Sequence, residues 1–316
     1  AGLGVTTGVL RASKSWETRP QRGPMQLDHP KHILVPVDFS ELSALALQYA
    51  SALGRCSGAR ITVLHASSFE APVYFTQGQL EELRARWRAA LRQGEKDLRD
   101  FARKSLGPEA GTLAYRIVEG RPVETILRIA RQTGADLIAM GTHGRSGWNR
   151  LMLGSVAERV LRETDIPVLT VRGNLKPPET PLAIRNILCP VNDTPVARRA
   201  LEHAAAMARC LGATLTLVHV DEGSQPGRID DLCAWVPDEQ RRHCRIREIV
   251  RRGEASREIV AQATEEGCDL LVIGAQHRRF FDSTVIGSTT VRVVRHAPCP
   301  VLTVVAREAG RSKEQN

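Results

Sequence analysis

The residues Gly141-Thr142-His143-Gly144 and Gly154-Ser155 form the pattern Gly-x-x-Gly-x9-Gly-Ser. The chemistry this composition offers is anion binding. Glycine lets the backbone approach a ligand closely, and the unsatisfied N–H groups that open a helix point at a phosphate with the positive end of its dipole. Ser155 adds a hydroxyl donor, and Arg145 adds a cation that could meet a terminal phosphate. The pattern is not a Walker A loop, because no Lys-Ser/Thr pair follows its glycines. It is not the dinucleotide fingerprint either, whose three glycines lie within six residues of the first strand. A second chemical group, Asp38, ends an apolar run and can accept hydrogen bonds from ligand hydroxyl or amine groups; Asp38 or Ser40 can equally cap the helix that follows. His143 reads as a surface residue rather than a catalytic base.

The elements that must hold these residues are legible from periodicity. Strand-like runs at 32–37, 60–66, 113–118, 135–141 and 166–171 alternate with helical patterns. The longest pattern, about 79–105, places Leu80, Leu83, Trp87, Leu91, Leu98 and Phe101 at near-helical spacing. Such alternation predicts right-handed β-α-β crossovers and a doubly wound parallel sheet, whose ligands bind at the carboxyl ends of the strands. Asp38 and Gly141 would meet there.

The chain also repeats itself. Ile33-Leu34-Val35-Pro36-Val37-Asp38 matches Ile187-Leu188-Cys189-Pro190-Val191-Asn192, and Ile166 to Val171 matches Cys299 to Val304. A period this long is a duplicated domain rather than a solenoid unit. The division expected is an extension at 1–30, which reads as disordered and lacks a signal-peptide core, a first domain at 31–173, a stiff Pro-rich linker at 174–182, a second domain at 183–306 and a tail at 307–316. The second copy has Asn192 for the aspartate and His277 for the second glycine, so its site should be weakened or altered.

Composition excludes other classes. The formal charge is +9 and the pI about 9.6, but few aromatics interleave the arginine-rich stretch 241–252 to stack bases, which argues against nucleic acid. No apolar stretch is long enough to span a bilayer. Seven scattered cysteines without a Cys-x-x-Cys pair predict reduced thiols and a cytoplasmic protein.

Val35-Pro36-Val37-Asp38-Phe39-Ser40, the strand ending Val63-Leu64-His65 and the glycine pattern from Gly141 to Ser155 together resemble a tandem universal stress protein from Lys31 onward. That resemblance implies two flavodoxin-like (Rossmann-like) five-stranded domains that pair through their last strands as a pseudo-dimer within the chain, with further homodimerisation open. It implies ATP as ligand, with a divalent ion such as Mg2+ or Mn2+. By position, Pro36, Val37 and Asp38 would line the adenosine pocket, the backbone around His65 and Ala66 would read adenine, and Gly141, Thr142, Gly144, Arg145, Gly154, Ser155 and Val156 would hold ribose and phosphates. The implied role is a stress-response or energy-status module acting on unidentified protein partners, with slow ATP hydrolysis at most. The competing expectation is a scaffold protein with a vestigial pocket, since the family also includes members that do not bind ATP.

Overall fold

The computed structural model describes residues 29–68, 77–143, 153–173, 182–223, 236, 241–242, 244–280 and 283–305. Its first half runs β1 (His32–Pro36), α1 (Glu41–Ser57), β2 (Arg60–Ser67), α2 (Gln77–Leu106), a short 3-10 helix (Gly107–Thr112), β3 (Ala114–Glu119), α3 (Pro122–Thr133), β4 (Leu137–Gly141), α4 (Ser155–Glu163) and β5 (Val168–Val171). The second half runs β6 (Asn186–Pro190), α5 (Pro195–Leu211), β7 (Thr214–Asp221), β8 (Arg245–Arg252), α6 (Ala255–Glu265), β9 (Leu270–Ala275), β10 (His277–Phe280), β11 (Ser283–Ile286), α7 (Ser288–His296) and β12 (Val301–Val305). The predicted strands of the first half all form.

Ten strands make one sheet in the order β3-β2-β1-β4-β5-β12-β9-β6-β7-β8. Within this sheet every pairing inside a half is parallel; the two halves join at β5 and β12, which are antiparallel, with Leu169 opposite Leu302, and β10 and β11 form a separate antiparallel pair. Each half thus contributes the expected five strands, and the last strands satisfy each other's edges. Thr170 Oγ1 donates to Val301 O (3.2 Å), and the buried Arg172 donates from Nη1 to Ala297 O (3.3 Å) across the same seam.

Strand alternation builds two cores, one on each face of the sheet. Ile33 and Val35 turn to the face covered by α1, α2 and α5, with Leu47, Leu98 and Leu201. Leu34 turns to the face covered by α3, α4, α6 and α7, with Ile126, Val160, Ile259 and Val293. Both cores draw residues from both halves. In the long helix Leu98 is fully buried and Phe101 packs against the first core; the side chains of Leu80, Trp87 and Leu91 lie outside the described residues.

One expectation fails here. Cys56 and Cys210 form a disulfide, Cα to Cα 5.5 Å, so not all thiols are reduced. The reason is symmetry: the two cysteines are equivalent positions of α1 and α5, and these helices pack together across the join. Cys189, Cys244, Cys268 and Cys299 are free.

Candidate functional site

The switch in strand order falls between β1 and β4, where β1 also pairs with β2 on its other side. The crevice at the carboxyl ends of these strands is where a doubly wound sheet takes its ligand. Pro36 ends β1, and Val37 N donates to Leu64 O (2.8 Å), carrying the β1–β2 ladder one residue further. His65 Nδ1 lies 2.8 Å from Val37 O, so this nitrogen carries the proton and donates, tying the His65-Ala66 end of β2 to the end of β1. His219 makes the same contact with Val191 O (3.1 Å) in the second half.

Asp38 and Ser40 divide the work that the sequence left open between them. Ser40 is the N-cap of α1, its Oγ accepting from Ser43 N (3.2 Å). Asp38 Oδ1 accepts from Ser40 N (3.1 Å) and Ser40 Oγ (2.5 Å), which fixes the carboxylate beside the β1 end. Between them Phe39 has φ +64, the single positive φ outside glycine among the described residues. A bulky side chain there is strained. Its ring is held by His65 (centroids 4.8 Å) and, edge-on, by Phe101 (5.5 Å). Nothing in the sequence marks Phe39, because a turn of this shape ordinarily signals itself by glycine. In the second half Asn192 Oδ1 accepts from Thr194 Oγ1 (2.6 Å) at the corresponding cap, so the side-chain contact persists without the charge and without the positive φ.

On the β4 side, Thr142 is buried and continues the sheet, its N donating to Val171 O (2.8 Å). Gly154 N donates to Thr142 O (2.8 Å), which pins the start of α4 to the end of β4. A Cβ on Gly154 would sit 2.7 Å from that oxygen, so the close approach demands glycine. Gly154 is the N-cap of α4 and, being glycine, offers no side chain to the opening N–H groups, unlike Ser40 of α1 and Thr194 of α5; Gly287 stands the same way at the start of α7. Ser155 is exposed at the first position of α4, with Val156 beside it half-buried. Gly141 serves packing: a Cβ there would meet Leu42 Cβ at 2.9 Å, and Gly274 is held in the same way against Val196 of α5.

His143, next to this strand end, has its Nδ1 3.0 Å from Thr142 Oγ1, while its buried Nε2 has no partner among the described residues. Burial, helped by Arg172, holds its pKa below the ordinary value. Gly144 and Arg145 lie outside the described residues. In the second half the corresponding connection contains the antiparallel hairpin β10–β11, with His277 opposite Ile286. Among the described residues no group of three or more His, Cys, Asp or Glu side chains is placed to hold a metal.

The Universal stress protein family model matches residues 29–172 and again 183–305. The chain belongs to the universal stress protein family. It is 30% identical to a universal stress protein of Methanocaldococcus jannaschii over 153 residues, 45% of this chain and 94% of the relative. A universal stress protein of Mycolicibacterium smegmatis is 25% identical over 298 residues, covering 87% of this chain and 97% of the relative, so the likeness runs through both halves of this chain. The crystal structure of a universal stress protein from Archaeoglobus fulgidus superposes with TM-score 0.66 at 22% identity, covering 87% of this chain and 98% of that one, which shows the fold. No helix among the described residues is long and apolar enough to cross a membrane.

Proposed function

We propose that the first half binds an adenine nucleotide, ATP with Mg2+ or Mn2+, in the crevice between the ends of β1 and β4, and that occupancy of this one site is the signal the protein passes to its partners. The observation that carries the reading is the start of α4. Its glycine N-cap brings no side chain to the opening N–H groups, is pinned to Thr142 through the Gly154 N–H, and lies across the strand-order switch from Asp38. These residues fit the ligand. The N–H groups opening α4 and the Ser155 hydroxyl are phosphate donors, and Asp38 is an acceptor for ribose or adenine hydrogens. The strain at Phe39 adds support, because such backbone is typically kept where it shapes a ligand site, and the equivalent Asp193 does not have it.

In the second half Asn192 removes the carboxylate and the hairpin β10–β11 occupies the connection, so this reading gives one nucleotide per chain. No nucleophile with an oriented base is assembled among the described residues, which fits binding with slow turnover at most.

A scaffold role with a vestigial pocket has one specific observation on its side: Gly141 and Gly154 are each required by protein packing alone. The test is Ser155→Asp combined with titration by ATP and magnesium. Ser155 is exposed, so the variant keeps the fold while setting a carboxylate where a phosphate would lie. Loss of binding supports the nucleotide reading, unchanged binding rejects this placement of the site, and no binding in the parent protein supports the scaffold.

A further inference from the structure

At the opposite, amino-terminal ends of β1, β4 and β5 lies a cavity of about 370 Å3, closed on its far side by α5 of the second half. Its wall carries His29, Lys31, Asp136, Ile166, Arg199 and His203, with Met207 and Leu302 adding apolar surface. A volume of this order suits a small organic ligand.

Charge decides the class of ligand. Asp136 is already engaged, its carboxylate accepting from Lys31 N (2.9 Å and 3.1 Å) and His32 N (3.0 Å), as Asp269 does for Arg185 N and Asn186 N in the second half. Asp165, also on the wall, is exposed. The remaining polar groups are cations and imidazoles. Arg199 donates from Nη1 to Val305 O (3.3 Å), one of five N–H donors on its guanidinium. His29 Nδ1 is buried with no hydrogen-bond partner among the described residues.

Pseudo-symmetry supplies an internal control. The positions equivalent to Arg199 and His203 are Leu45 and Tyr49 of α1. Tyr49 is buried, which chiefly raises its pKa, and lies close enough to Cys299 and Asp269, the counterparts of Ile166 and Asp136, for both to add to the rise. One side of the join therefore holds a phenol ring packed as core, while the other holds an imidazole and a guanidinium on the wall of a cavity. A side chain that filled space has been exchanged for groups that bind anions.

We propose that this cavity is a second ligand site, specific for a small organic anion with an apolar body: the anion meets Arg199, His203 and His29, and the body lies against Ile166, Met207 and Leu302. The site is independent of the nucleotide reading, since it opens at the other end of the sheet.

The test is fluorescence titration of the full chain with anilinonaphthalene sulfonate, an aromatic anion, and with phenylnaphthylamine, the same body without the sulfonate, both in the presence of ATP and magnesium. The expected result is saturable binding of one sulfonate per chain, with phenylnaphthylamine weaker by at least about tenfold, the worth of one charge-assisted hydrogen bond. The double variant R199L/H203Y copies the first-half residues into α5 and should abolish the binding without lowering the melting temperature. Equal binding of the two dyes, or retention of sulfonate binding by the variant, overturns the proposal. Should the variant fold poorly, nitrogen-labelled histidine spectra of the wild-type chain decide: the His29 and His203 signals shift on adding the sulfonate dye if the site is real, and stay fixed if it is not.

Discussion

At the scale of single residues, close approach and charge make separable demands, and each can be tested. Gly141 faces the backbone of α1, so Gly141→Ala should destabilise the fold by about 1–3 kcal/mol through overpacking, whereas Gly287→Ala, with nothing within 4 Å, should cost far less. Equal losses in denaturant unfolding would contradict this. Ser155→Asp should weaken ATP by at least about tenfold while the helix dipole leaves stability unchanged or raised by about 0.3–1 kcal/mol. An aspartate at Gly154 would confound the two effects, because its Cβ meets Thr142 O. His29, His32 and His143 are each held below their ordinary value, chiefly by burial. The unfolded chain thus binds more protons than the folded one once pH falls below about 6.5. Stability from these groups is complete above that pH and declines as pH drops toward their folded values. Thermal melts between about pH 7.5 and 5 should show this decline, with a shallower slope in His143→Gln; an identical slope would show that His143 contributes nothing. Asp38, Gly141 and Gly154 stand out in the sequence because their residue types suggest a chemistry, and the structure places them at neighbouring strand ends without testing that role. Phe39 does not stand out, since a phenylalanine gives no sign in the sequence of a positive φ.

At the scale of elements, the sequence revealed most where pattern and repeat agreed. The run 60–66 became Arg60–Ser67 and the helix at 79–105 became Gln77–Leu106, because alternation and helical spacing respond directly to burial. The hairpin β10–β11 escaped notice, since no turn dipeptide flags it. The Cys56–Cys210 link was also missed, although both cysteines stand at equivalent repeat positions; spacing along the chain says nothing about contact across a pseudo-two-fold. Non-reducing peptide mapping should recover the two peptides joined. Cys56→Ser should lower stability under oxidising conditions by about 2–5 kcal/mol and leave the reduced protein nearly unchanged. Free thiols at both positions in the native oxidised protein would overturn this. Cys189, Cys268 and Cys299 should resist alkylation in the folded state, because burial pushes their thiols up, Cys268 to about 12.

At the scale of the whole molecule, duplication has produced two halves that share a sheet and two cores but not a chemistry. The antiparallel seam of β5 and β12 makes them one body with the seam edges satisfied, leaving β3 and β8 as the outer strands. On β8, Arg247, Arg251 and Arg252 are paired with Glu266, with Glu258 and Glu265, and with Asp221, so much of its basic character is balanced locally. The halves differ where ligands would sit: Asp38, the strained Phe39 and the close Gly154–Thr142 contact that pins α4 in the first, Asn192 and a hairpin in the second, while α4 and α7 alike open on a glycine. Calorimetric titration of nucleotide-free full-length chain with ATP and magnesium tests this asymmetry most directly. The account predicts one saturable site per chain that Ser155→Asp removes; two sites, none, or a site indifferent to Ser155→Asp would contradict it.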